Sequence, residues 1–332
     1  MLSLNIITIL IVIFAIIFDF INGFHDTATA VATSITTRAL TPRNAIILCC
    51  IFNFLGAFTG TAVAKTVGDN IVNHTLISQW VIMCVLITSI IWNILTWYFA
   101  IPSSSSHALI GALVGAGIAY NNSLSVINWY NLFHSVVLWL FLSPVIGFIV
   151  GYILMNILNI LLKPYKRSII NKIFLKFQVL AGAFMAFNHG SNDAQKSMGI
   201  ITMSLLSGGL INSFTVPSWV VFLCAVSMAL GTSVGGKKII KTMGSGMTKL
   251  TPVNGFAAQT GAACVILTAT IFKAPVSTTH IITTTIMGIG ASKRLKNVKW
   301  GIAKDIVWAW VLTIPVTALI SYLIIYGVKL FL

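Results

Sequence analysis

The chain contains no glutamate, and its only acidic residues are Asp19, Asp26, Asp69, Asp193 and Asp305. Charged residues fill 8% of its 332 positions, where a soluble domain carries about 25%, so an ordinary soluble domain is excluded. The five cysteines, Cys49, Cys50, Cys84, Cys224 and Cys264, form no C-x-x-C pair and stand in apolar runs, where they read as small buried hydrophobes. Segments of about ten residues with alternating polarity, the mark of a membrane β-barrel, are also lacking. The N-terminus has neither a basic region nor a small-residue cleavage site, so residues 1–36 read as a retained first span rather than a signal peptide.

What the chain does have is apolar length. Hydrophobic residues make up 58%, with continuous runs at 4–18, 81–95 and 305–328. This predicts an all-α polytopic membrane protein. The net charge of +15 does not point to nucleic acid, because the basic residues sit mostly in short loops between apolar spans. Their placement is a topology signal.

Two polar stretches interrupt the apolar runs and match each other. They are Pro102-Ser103-Ser104-Ser105-Ser106-His107 and Pro275-Val276-Ser277-Thr278-Thr279-His280. Irregular polar backbone at membrane depth is tolerated only inside protein or along a watery cavity. Around these tips the chain divides into two halves. Residues 1–162 hold a broken helix at 2–36, a span at 44–64, a hairpin at 76–118 and a span at 132–162. A basic cytoplasmic linker is expected at 163–176. Residues 177–332 repeat the order: broken helix 177–206, span 218–236, hairpin 251–291, span 305–330. Lys65-Thr66-Val67-Gly68 echoes Lys241-Thr242-Met243-Gly244, and Asp26 and Asp193 hold equivalent places.

Loop charge orients the halves. With the linker inside and each hairpin re-entrant, sixteen of the twenty lysines and arginines fall inside. Both termini then lie outside, and the hairpins enter from opposite sides. That is an inverted-topology repeat, in which a substrate binds near the midplane at discontinuous helices.

Each tip is expected to start a half-helix at its proline, with free N–H groups and hydroxyls aimed at one spot. Ser104, Ser105, Ser106, Ser277, Thr278 and Thr279 are then donors for a small oxyanion. His107 and His280 close the tips and are expected to fix them. Asp26 and Asp193 are costly inside a span, by about 2.5–3.5 kcal/mol each, and so are functional candidates. They would repel an oxyanion unless a cation or proton accompanies it, which is the logic of a symporter. Asn22, Asn188 and Asn192 offer neutral polar groups nearby. Lys196 either pairs with Asp193 or meets the anion. Lys273 reads as a snorkelling side chain, and Asp19, Asp69 and Asp305 as residues without a special role.

Three groups of residues carry a resemblance. Asp19 to Ala28, with Ala32-Thr33-Ser34 and Thr37 to Leu40, resembles the first signature of the inorganic phosphate transporter (PiT) family. His189-Gly190-Ser191-Asn192-Asp193-Ala194-Gln195-Lys196-Ser197-Met198-Gly199 resembles the second. Ile101–Gly115, Gly235–Gly244, Gly255–Gly261 and Pro275–Gly290 are similar to the bacterial branch of low-affinity phosphate permeases.

The resemblance implies import of inorganic phosphate with Na+ or H+ by alternating access, and no enzymatic activity. It implies no cofactor beyond the co-transported cation, a homodimer in the cell membrane, and phosphate carried in some relatives as a metal–phosphate complex. Carried over residue by residue, it adds Gln195 to Asn192, Lys196 and the tip hydroxyls around phosphate, and assigns the cation to Asp26 and Asp193, which would ligate Na+ in a sodium-coupled protein. Thr29 departs from the family, which commonly has an asparagine there. Sulfate on the same scaffold is the alternative substrate; an anion channel and an intramembrane hydrolase are more remote.

Overall fold

The computed structural model describes residues 6–72, 76–99, 101, 103–234 and 250–331. Pro102, Lys237, Lys238, Lys241 and Lys249 lie outside them, as do the side chains of Thr29 and Asp305. The first half holds α1 (Ile6–Thr36), α2 (Pro42–Gly56), α3 (Ala62–Lys65), α4 (Gln79–Tyr98), α5 (Ser105–Asn121) and α6 (Trp129–Leu161). The second holds α7 (Arg167–Ser207), α8 (Ser218–Val234), α9 (Pro252–Ile271), α10 (Thr278–Lys293) and α11 (Trp300–Phe331). Among the described residues the only β pairing is an isolated antiparallel bridge between Val72 and Ile127. Helices α1, α4, α6, α7 and the segment Val307–Leu330 of α11 are long and apolar enough to cross a membrane.

Three expectations about these elements are corrected. The helices expected to break at Asp19–Asp26 and at Asn188–Lys196 run unbroken as α1 and α7. Most of their polar side chains find partners on neighbouring helices, and the backbone keeps its own ladder, as membrane depth requires. The span expected at 44–64 stops at Gly56, where Thr59 Oγ1 donates to the Gly56 carbonyl at 2.7 Å. A new short helix starts where Gln195 Oε1 accepts from the Val63 N–H at 2.8 Å. Finally, residues 167–176 are not a linker but the first turns of α7. At 41 residues α7 is about 60 Å long, twice the hydrocarbon thickness, so its exposed Arg167, Lys172 and Lys176 extend past the apolar zone.

Side-chain bonds fix which end of the bundle each element reaches. At one end Gln79 Nε2 donates to Thr8 and to the Ser204 carbonyl, and Asn121 donates to the Leu76 carbonyl. Lys329 donates there to the carbonyls of Ala119 and Tyr120. At the other end Thr37 donates to Gln178 at 2.7 Å, and Gly255 packs on the same glutamine. Helices α1 and α7 therefore run antiparallel. Hairpin α4–α5 starts and finishes at the first end, and hairpin α9–α10 at the second.

The halves interlock. Helix α1 packs on α8 and α2 on α7; α5 packs on α11 and α10 on α6. Both inner crossings are made at glycine. A Cβ on Gly23 or Gly231 would strike the facing α8 or α1 backbone, and one on Gly56 or Gly190 the facing α7 or α2 backbone. Small residues permit this approach of helix to helix in a membrane. The outer ends match as well. Trp129 Nε1 donates to the Leu124 carbonyl and Trp300 Nε1 to the Leu295 carbonyl, both at 2.9 Å.

Buried apolar side chains form two clusters. One includes Ile11, Phe18, Val85, Leu109, Met198 and Met203. The other includes Ala30, Met155, Met185, Ala257, Ile281 and Ile286. Along α1 the first cluster ends at Phe18 and the second begins at Ala30; along α7 the order reverses, from Ala186 to Ala194. The polar stretches of both helices lie in the gap.

Candidate functional site

In this gap the helical period decides what faces what. Asp19, Asn22 and Asp26 recur every three to four residues on one side of α1; His189, Asn192, Asp193 and Lys196 do the same on α7. All seven side chains are at most 2% exposed, so every polar atom needs a protein partner or a ligand.

The tips of the two hairpins meet here. Ser104 caps α5 by accepting from the His107 N–H at 3.2 Å, and Ser277 caps α10 by accepting from the His280 N–H at 3.3 Å. The serines start the helices, not the prolines: Pro275 stands two residues before its cap, which corrects the expected proline start. Serine wins because its side-chain oxygen accepts an N–H that the first turn leaves unbonded. Ser105, Ser106, Thr278 and Thr279 therefore occupy the first turns, where backbone N–H groups lack intrahelical partners.

Three of their hydroxyls reach the two aspartates. Ser105 Oγ lies 2.8 Å from Asp26 Oδ2 and 2.5 Å from Asn22 Oδ1, and its one proton is shared between them. Thr279 Oγ1 donates to Asp26 Oδ1 at 3.1 Å, and His25 Nδ1 lies 2.7 Å from that oxygen. Thr278 Oγ1 lies 3.4 Å from Asp193 Oδ2, as does His189 Nε2. Asp26 thus receives a hydroxyl from each hairpin.

Lys196 ties the layer together. Its ammonium is 2.5 Å from Asp193 Oδ1, donates to Ser106 Oγ of the first tip, and donates to the Val276 carbonyl of the second at 3.1 Å. Of its two expected roles it takes the ion pair, and all three N–H bonds are used. Ser106 in turn donates to the Val276 carbonyl at 3.0 Å. The rings of His107 and His280 touch edge to face with centroids 4.5 Å apart, and His280 stacks on Trp310 at 3.8 Å.

Three expected site residues point elsewhere. Asn192 holds the second tip, donating to Thr270 and the Ala274 carbonyl and accepting from the Val276 N–H. Gln195 is taken up by the backbone of Val63, Ala64 and Ser191. Asn188 donates to the Phe184 carbonyl one turn back in its own helix. Lys273 is exposed, with its backbone at φ 61°, and its carbonyl accepts from Thr66.

Sequence reasoning passed over His25, His189 and Asp19. The i, i+4 spacing of His189 and Asp193 could have found the second. Asp19 was read as incidental, yet it is fully buried, accepts from Ser197 at 2.9 Å, and has an Oδ2 with no hydrogen-bond partner. Donor atoms of Asp26, His189 and Asp193 lie within 4.8 Å of one another, a set able to hold a cation.

Residues 22–321 match the phosphate transporter family. The chain belongs to that family. Over 318 residues this phosphate transporter family member is 49% identical to a probable low-affinity inorganic phosphate transporter of Bacillus subtilis strain 168, with 95% of each chain covered. It is 44% identical over 318 residues to a protein of the same description from Rhizobium meliloti strain 1021, again covering 95% of each. A solved structure of a sodium-dependent phosphate transporter superposes with a TM-score of 0.90 over 99% of this chain and 100% of the other. At 22% identity that likeness shows the fold. Family and apolar helices together make this a membrane protein, and the relatives named are transporters.

Proposed function

We propose that the chain imports inorganic phosphate by symport with Na+ or H+, as a multi-pass protein of the cell membrane. The observation that carries this reading is the buried layer itself. Two capped helix starts, three hydroxyls and one ammonium converge there on two carboxylates, between two apolar clusters. The hydroxyls and first-turn N–H groups are donors for an oxyanion, and Lys196 is the cation beside them. Phosphate keeps a proton that rewards an acceptor, which Asp26 and Asp193 supply and which sulfate does not need. The relatives' descriptions support the same anion.

The coupling cation acts at Asp26 and Asp193, with His189 as a third donor. Whether it crosses alone or with phosphate as a metal complex, it is cargo. In alternating access the hairpins, entering from opposite ends as an inverted repeat with both termini outside, would uncover the layer in turn.

Uptake into proteoliposomes with sodium and pH gradients imposed separately tests the proposal. Phosphate accumulation driven by one of them is expected. Phosphate flux that follows neither gradient would sink the symport reading, and complete block of uptake by low sulfate would transfer the site to sulfate.

A further inference from the structure

A cavity of about 410 Å³ lies at the end of the bundle away from the chain's described termini. The ends of four helices frame it: the last turns of α6 and α10 and the first turns of α7 and α9. Lys163, Arg167 and Lys293 line it, with Asn171 and Thr251 between them and the buried Met155 and Val253 also in its wall. No carboxylate lines it, and no ion pair among the described residues engages any of the three cations. Like charges gathered without a counter-ion repel one another, and an anion relieves them. Two helix N-termini and two helix C-termini meet at the same place, so their partial charges offset and the three cationic side chains set the field. The transport layer has no part in this cavity, since none of its residues line it.

We infer that this cavity binds a phosphate-bearing anion. Arg167 offers a fork of N–H donors that matches phosphate oxygens, and the two lysines supply point charges. The place fits a phosphoester, because basic pockets between helices at the cytoplasmic surface are where anionic lipid headgroups bind. Soluble phosphoesters share the chemistry, and the cavity is open enough to admit either.

The test uses the full chain in nanodiscs of neutral phosphatidylcholine, against a Lys163→Gln, Arg167→Gln, Lys293→Gln triple variant. In one arm the discs contain phosphatidylglycerol, and native mass spectrometry counts retained anionic lipid. In the other, pyrophosphate is titrated into neutral discs by calorimetry. At about a fivefold loss per cation, the triple variant is expected to bind on the order of a hundredfold more weakly. Loss confined to the lipid arm identifies a headgroup as occupant; loss confined to pyrophosphate identifies a soluble anion. Equal binding by wild type and variant in both arms overturns the inference. A Lys163→Arg, Lys293→Arg variant keeps the charge and should bind like wild type. If the triple variant does not fold, Lys293→Gln alone should bind about fivefold more weakly, and unchanged binding there overturns the inference as well.

Discussion

At the scale of single residues the layer is governed by pairing. Lys196 and Asp193 are each 1% exposed, so removing one partner leaves the other charged and buried. Asp193→Asn is expected to lower stability by about 3–5 kcal/mol, measured by denaturation in detergent. Adding Lys196→Met should recover most of that stability while phosphate uptake stays lost. A double variant as unstable as the single one would mean that the pair is not what holds the layer. The caps are smaller matters: Ser104→Ala and Ser277→Ala should each cost about 1 kcal/mol. Much at this scale was legible. The aspartates stood out because carboxylates are rare in this chain, and the tip hydroxyls because they cluster in two matched stretches; they do meet. Partner choice was not legible. Nothing local in the sequence says that Gln195 turns to the backbone of Val63, or that Asn192 grips Ala274 and Val276 rather than facing the aspartates. Those contacts exist only once α7 has been laid against α3 and the second hairpin.

At the scale of elements the lesson is the unbroken helix. A polar stretch inside an apolar run reads as a break when its partners are unknown, because an isolated helix would leave the side chains facing lipid. Here most of them find a partner across an interhelical seam, as His189 does with Asn53 and Asp19 with Ser197, and the helical backbone survives. The glycines in those stretches serve packing instead of a bend. Gly231→Ala would push a methyl group into the backbone of Phe20, with an expected loss of about 1–3 kcal/mol and less folded protein by size-exclusion fluorescence. Gly327→Ala, in open space, should behave as wild type. Equal behaviour of the two variants would remove the crossing as a stabilising contact. The hairpins were the more readable elements, since a serine cap and a following hydroxyl-rich turn leave a local signature. Helix ends such as Gly56 were not readable, because a tertiary acceptor decides where the next helix begins.

At the scale of the whole molecule, each half lacks what the other supplies. Helix α1 needs α8, and α5 needs α11, so neither half buries its own inner faces. Residues 1–162 and 163–332 made as separate chains should co-purify and be degraded when expressed singly. Stable single halves would contradict that interdependence. Tags at both ends should react with an impermeant reagent in intact cells, given the proposed orientation; protection of either one would reverse it. The all-helical membrane class was visible from composition and the length of the apolar runs, while the interlocking was visible only in the packing. The meeting of the tips carries one last consequence. Ser106 and His107 of one hairpin rest on Val276 and His280 of the other, so each tip is the other's stop. Two plugs that press on each other from opposite sides cannot both withdraw without opening a leak. Under the alternating access proposed above, only one tip would retreat at a time while the other stays as the seal, with the long α1 and α7 flanking the contact on either side.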